Sequence, residues 1–167
     1  LVRNRDGLLP VCSGKGVLVA GPQKTFAAKL RRLLPEARIV HLRRVPSRAQ
    51  RERDLNRLAA LADEHRVVIL SVVNAYQAWL AQRLRHRTRT PLAVVSFGSP
   101  YFLRNFPGAD AYLCTYSYLD TVEKAAARAV AGRTSITGRL PVTINHKFRR
   151  GHGLVIPTRA CATAASR

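Results

Sequence analysis

Acidic residues are scarce: nine Asp and Glu stand against 29 Lys and Arg in 167 residues, for a net charge of +20. Any chemistry that needs a pair of carboxyl groups therefore has few places to reside. Methionine is absent altogether. The opening residues, Leu1 to Pro10, have neither an initiator Met nor the apolar core of a signal peptide. The chain therefore reads as a piece cut from something longer. No apolar run approaches the ~20 residues that cross a bilayer, so no membrane span is expected. Cysteine is limited to Cys12, Cys114 and Cys161, an odd number, far apart, without C-x-x-C spacing or a His at ligand distance. That pattern argues against a disulfide framework and against a zinc site, and the thiols read as buried or idle.

The excess positive charge raises the question of a polyanion partner, which needs a patch. The arginines from Arg43 to Arg57 are interleaved with Glu52 and Asp54, as on a solvated helix face laced with i,i+4 pairs. Arg83, Arg85, Arg87 and Arg89 have no acidic neighbour in sequence and are the candidate polyanion site. Aromatic residues do not alternate with these basic residues as a stacking platform requires, so nucleic acid is not the expected partner.

Apolar residues make up 47% of the chain, in short blocks. Val17 to Gly21 is a continuous apolar run closed by Gly21-Pro22, as in a strand buried on both faces. Phe26, Ala27, Leu30, Leu33 and Leu34 then recur at helical spacing until Pro35. The cycle repeats with strands at residues 37–42, 66–73, 91–97 and 109–116. Helices are expected at 47–65, capped by Ser47, from about Tyr76 to Leu84, briefly at 101–106, and from Asp120, where Asp120 and Glu123 have the spacing of a capping box. Strands alternating with helices imply right-handed crossovers. The expected fold is α/β: an open, doubly wound, mostly parallel sheet of five strands plus an edge strand, with helices on both faces, a three-layer α/β/α sandwich. Gly138 to Ile144 contains Pro141, which cannot donate to a ladder, and is expected as the edge strand. Residues 160–167 are expected to be disordered.

Open α/β sheets bind ligands outside the carboxyl ends of their strands. Gly14-Lys15-Gly16 precedes the first strand and so is no P-loop, and Gly21-Pro22-Gln23 is no dinucleotide fingerprint. Ser96-Phe97-Gly98-Ser99-Pro100 lacks the G-x-S-x-G elbow, and no Asp and His follow at suitable strand ends. Glycoside hydrolysis generally needs two carboxyl groups flanking the bond. Here Glu52 and Glu64 fall on an exposed helix, Asp110 lies at the amino end of a strand, and Asp120 and Glu123 are explained by capping. Neither a catalytic residue nor a metal or cofactor site is expected on this chain.

The order and spacing of several segments nevertheless form a pattern: Leu1 to Pro10, Val94 to Tyr101, Asp110 to Tyr116, Gly138 to Ile144, and Arg150-Gly151-His152-Gly153-Leu154. Over residues 1–154 it resembles the C-terminal domain of family 3 glycoside hydrolases, in particular the two-domain bacterial β-N-acetylhexosaminidases. The resemblance implies a catalytic (β/α)8 barrel upstream in the same polypeptide, holding the nucleophilic Asp and the Asp–His acid/base pair of such hexosaminidases. In the β-glucosidases of that family the acid/base Glu comes from the C-terminal domain, and no glutamate here sits in a matching loop. Three units follow: 1–16, a linker from the barrel; 17–144, the α/β sandwich; and 145–167, a C-terminal extension. The expected role is an accessory domain, inactive alone, that packs on the barrel and shapes its cleft, with carbohydrate bound at the domain interface. Asn74, Ser99, Tyr101 and Tyr116 are the candidates to line that cleft, against ordinary roles as turn and core residues. A basic binding module for RNA or heparin-like polymers on the same fold is the alternative. The compartment stays open between the bacterial cytoplasm and export with the parent enzyme.

Overall fold

The computed structural model describes residues 1–105 and 108–158, the side chain of Asn105 excepted. Strands β1 (Arg3–Asn4), β2 (Val17–Gly21), β3 (Arg38–His41), β4 (Val67–Val72), β5 (Leu92–Ser96) and β6 (Ala111–Cys114) form one sheet in the order β1-β6-β5-β4-β2-β3. Neighbours from β6 to β3 are parallel, and β1 runs antiparallel to β6. The helices are α1 (Lys24–Leu33), α2 (Arg48–Asp63), α3 (Ala75–Arg87), α4 (Phe102–Asn105) and α5 (Asp120–Val130), with a 3-10 turn at Arg5–Gly7.

The core divides along the sheet. Alternate strand residues Val17, Val19, Val67, Ile69, Ala93 and Val95 meet α1 and α5 on one face; Leu18, Ala20, Val68, Leu70, Leu92 and Val94 meet α2 and α3 on the other. A two-residue period that is apolar on both phases is what burial between two helical layers requires, so β2, β4 and β5 read as unbroken runs. Ser47 Oγ accepts from Gln50 N at the start of α2, and Asn74 with Gln77 forms a complete capping box on α3. Pro35 and Pro91 follow α1 and α3 closely, where their rings cannot continue a helix. At the end of β2, Gly21 has φ +144°, and a Cβ there would stand 1.8 Å from Ser71 Oγ, so only glycine lets β2 pass β4 so closely.

The expected α/β sandwich is present, with four differences in detail. The edge strand is Arg3–Asn4, not 138–144: Arg3 pairs with Tyr112 and Asn4 with Ala111. Residues 138–156 instead run alongside in isolated contacts, with Leu140 N donating to His152 O, Leu154 N to Leu1 O, and one bridge between Ile136 and Ile156. Pro141 cannot sustain a ladder there. The fifth predicted strand is shorter than 109–116, because Tyr116 takes φ +61° and turns the chain. Asp120 and Glu123 do not cap their own helix, whose N-cap is Leu119 without a side-chain bond. Cys12 is disulfide-bonded, contrary to the reading of three idle thiols, whereas Cys114 is free. Residues 160–167, expected to be disordered, lie outside the described residues.

Candidate functional site

The parallel strands end together on one edge, and the loops that leave them carry most of the exposed large apolar side chains: Val45 after β3, Tyr101 after β5, and Tyr116, Tyr118 and Leu119 after β6. Successive crossovers from β2 go to opposite faces of the sheet, so a crevice opens beside the end of β2, where folds of this kind receive ligands. A cavity of about 580 Å³ lies there, walled by Thr25, Arg43, Arg44, Tyr118 and Glu123.

Its back wall is closed by an internal ion. Glu123, only 6% exposed, reaches from α5 to the amino end of α1, where its Oε2 accepts from Phe26 N at 2.8 Å and its Oε1 from Gln23 Nε2 at 3.2 Å. A helix start presents unpaired N–H groups and a positive dipole end, the place where a bound phosphate would otherwise sit. The protein's own carboxylate takes that place. Asp120, the other acid of this edge, accepts from Thr25 Oγ1 at 2.9 Å. Both acids therefore hold α5 to α1: Glu123 is buried with both oxygens bonded, whereas Asp120 is exposed and bonded through Oδ1. Among the described residues no group of His, Cys, Asp and Glu side chains could hold a metal ion.

The four residues expected at the cleft share the edge without sharing a cavity. Asn74 Oδ1 accepts from Tyr76 N at 2.9 Å, and its Nδ2 donates to Arg44 O at 2.8 Å, so the amide is used to fasten the β3–α2 loop to α3. Ser99 Oγ accepts from Tyr101 N at 3.2 Å, and Ser99 O accepts from Ser96 Oγ at 2.7 Å, which makes it a turn serine. Tyr101 is 41% exposed, with the Arg104 guanidinium 4.5 Å from its ring centroid. Tyr116 faces the β1 side, lining a small cavity with Leu1, Val2 and His152. Burial, reinforced by the neighbouring Cys114, pushes its phenol up to about 12.

Tyr118 is the residue that sequence reasoning passed over. Its ring, 56% exposed, carries Arg44 at 5.2 Å and lies against the Gly98 turn, joining the loops after β3, β5 and β6. The run Tyr116-Ser117-Tyr118 was the available signal: two tyrosines in a short loop after a buried strand.

Arg83, Arg85, Arg87 and Arg89 belong to the carboxyl end of α3 and the turn beyond it, hence to the opposite edge of the sheet. They do not form one free patch. Arg85 donates to Thr88 O at 3.5 Å and stands 4.0 Å from Asp110, and Arg87 donates to Asn56 Oδ1 at 3.5 Å. Arg85, Arg87 and Arg89 surround a cavity that includes Asp63, and Arg83 lines a second with Glu52 and Trp79, Arg87 being common to both. Basic side chains in the last turn of a helix also complement its dipole, which accounts for several of them without a partner.

No protein-family model and no curated protein matches the chain. Solved structures do match. A fungal multi-domain family 3 glycoside hydrolase, a β-N-acetylglucosaminidase, superposes with a TM-score of 0.68 at 24% identity, covering 92% of this chain and 18% of that one. A family 3 β-N-acetylglucosaminidase from Paenibacillus sp. gives 0.69 at 18% identity over 85% of this chain and 30% of that one. A β-glucosidase involved in saponin metabolism from intestinal bacteria gives 0.61 at 17% identity over 86% and 31%. The chain thus spans less than a third of each of these enzymes, and it has the fold of a segment found in family 3 glycoside hydrolases.

Proposed function

We propose that this chain is the C-terminal accessory domain of a family 3 glycoside hydrolase, seated on a (β/α)8 barrel of the same polypeptide and walling part of its cleft. The reading rests on the concentration of exposed aromatic and apolar side chains, Tyr101, Tyr116, Tyr118, Leu119 and Val45, on an edge where Glu123 is buried and bonded and Asp120 is the one exposed acid among the described residues. Such an edge suits a partner surface and sugar faces, and it offers no pair of exposed carboxyl groups for glycoside hydrolysis among the described residues. The β-N-acetylhexosaminidase branch is favoured over the β-glucosidase branch because no glutamate of this edge is free to act as acid/base. The polyanion reading on Arg83 to Arg89 is the less favoured alternative, since Arg85 stands 4.0 Å from Asp110 and Asp63 shares the cavity of Arg85, Arg87 and Arg89.

Hydrogen exchange tests the seating. In a polypeptide extended upstream through the barrel, the amides of residues 43–45, 98–101 and 116–119 should be protected relative to the isolated chain. Equal exchange in the two forms would place the barrel contact on another surface.

A further inference from the structure

The sheet has two edges, and they are treated differently. At the β1 edge, Val2 O is bound by His152 Nε2 and Leu1 O by Leu154 N. The β3 edge has no such cover among the described residues. Leu42 N donates to Gly21 O at 3.1 Å, so in this parallel pair Val40 and Leu42 direct their main-chain groups to β2. Those of the intervening Ile39 and His41 therefore point outward, and no backbone bond reaches them from another segment among the described residues.

Beside this open edge, between β3 and α1, runs a groove of about 810 Å³. Its floor includes Ala28 and Ile39, and its rim carries Lys24, Arg31, Arg32 and His41. Lys24, Ala28 and Arg31 or Arg32 recur at i, i+4 and i+7 or i+8, which puts them on the one face of α1 that looks toward β3. α1 contains no acidic residue, and none of the groove's lining residues is acidic. Unlike Arg85 and Arg87, these four cationic or titratable side chains make no hydrogen bond or ion pair among the described residues. The charge on the edge strand itself is Arg38, which pairs with Glu64 at 3.4 Å; three of the groove's four cationic or titratable side chains come instead from the helix across it.

We infer that the α1–β3 groove is a docking site for an extended acidic peptide segment that adds to the sheet beside β3. The outward N–H and C=O groups of Ile39 and His41 match another main chain, and the cationic rim matches carboxylates on alternate residues of that strand. The floor is of small apolar side chains, with no Phe, Tyr or Trp on which a nucleic-acid base could stack, which favours a peptide over RNA. Residues 159–167 of this chain hold two arginines and no acid, so the complement in charge is a different segment.

The test is fluorescence anisotropy at low salt with the full chain and a short labelled peptide alternating Glu and Val. Binding is expected, about tenfold weaker in the R31E/R32E variant, since two attractions become repulsions. It should be lost for the same peptide N-methylated on alternate residues and unchanged in R83E/R87E. The N-methylated arm uses the wild-type protein and so stands even if R31E/R32E is destabilised. Equal binding of the N-methylated peptide would reduce the site to diffuse charge and overturn strand addition. Absence of peptide binding, or binding of heparin or RNA that alone responds to R31E/R32E, would overturn the proposal as well.

Discussion

The carboxylate of Glu123 replaces what a helix start would otherwise draw from solvent or a ligand, and its removal should be costly. In Glu123→Ala the Phe26 N–H and the Gln23 amide lose their acceptor inside a site where Glu123 is 6% exposed and Gln23 8%. A hydrogen bond to a charged group contributes about 1.5–3 kcal/mol. A charge in a partly buried position at a helix start contributes up to about 2 kcal/mol, an overlapping quantity that does not add in full. The expected loss is about 2–4 kcal/mol, or a fall in melting temperature of about 4–16 °C at this chain length. Glu123→Gln keeps an oxygen for Phe26 N–H but not the charge, and should fall between the two. Thermal unfolding by circular dichroism measures the shift, and hydrogen exchange should show the amides of the first turn of α1 losing protection before those of β4. A Glu123→Ala protein that melts within ~2 °C of the wild type would refute the tertiary cap, because no other acceptor among the described residues serves that N–H.

Other perturbations follow from the same contacts. Gly21→Ala should cost about 2–5 kcal/mol in denaturant unfolding through its positive φ and its collision with Ser71 Oγ, and Ser71→Ala should recover part of it. Tyr76→Phe removes the 2.7 Å bond from the phenol to the buried Asp54 and should destabilise by about 1–3 kcal/mol; an unchanged unfolding midpoint would contradict this. Burial pushes the Cys114 thiol up to about 12 from 9.0, so native alkylation by iodoacetamide should stay slow through pH 9 and half-titrate near 12. The sign for stability is set by the unfolded chain, which releases this proton above pH 9.0 while the folded chain holds it, so stability falls between 9.0 and about 12.

The central layer was legible because its physics is local. Val17 to Gly21, Val67 to Val72 and Leu92 to Ser96 are buried on both faces, and an unbroken apolar run between a helix end and a turn has few other uses. The edge strand was not. Arg3–Asn4 is two polar residues long, is defined only by its pairing with β6, and has no periodicity to read. The rival segment at 138–144 had the apolar residues of a strand, but Pro141 and the return of His152 to Leu140 give it another course. The site was legible only as an edge. Turn chemistry at Ser99 can be read locally, and its ordinary role in a turn was on view from the start, whereas the capping box of Asn74 with Gln77 emerged only in the structure. Glu123 could not be read in the same way: it caps a helix 97 positions away, and its spacing from Asp120 mimics a local box. Arg83 to Arg89 looked unpaired in sequence because their partners, Asp110 and Asn56, are brought to them by the fold.

The central claim is that this domain shapes a glycosidase cleft without supplying the reacting carboxylates. Nitrophenol release from nitrophenyl N-acetyl-β-glucosaminide tests it most directly, measured on the isolated chain and on the polypeptide extended upstream through the barrel. Turnover is expected of the extended form, and none above buffer of the chain alone. Turnover by the chain alone, abolished in Asp120→Asn, would contradict it.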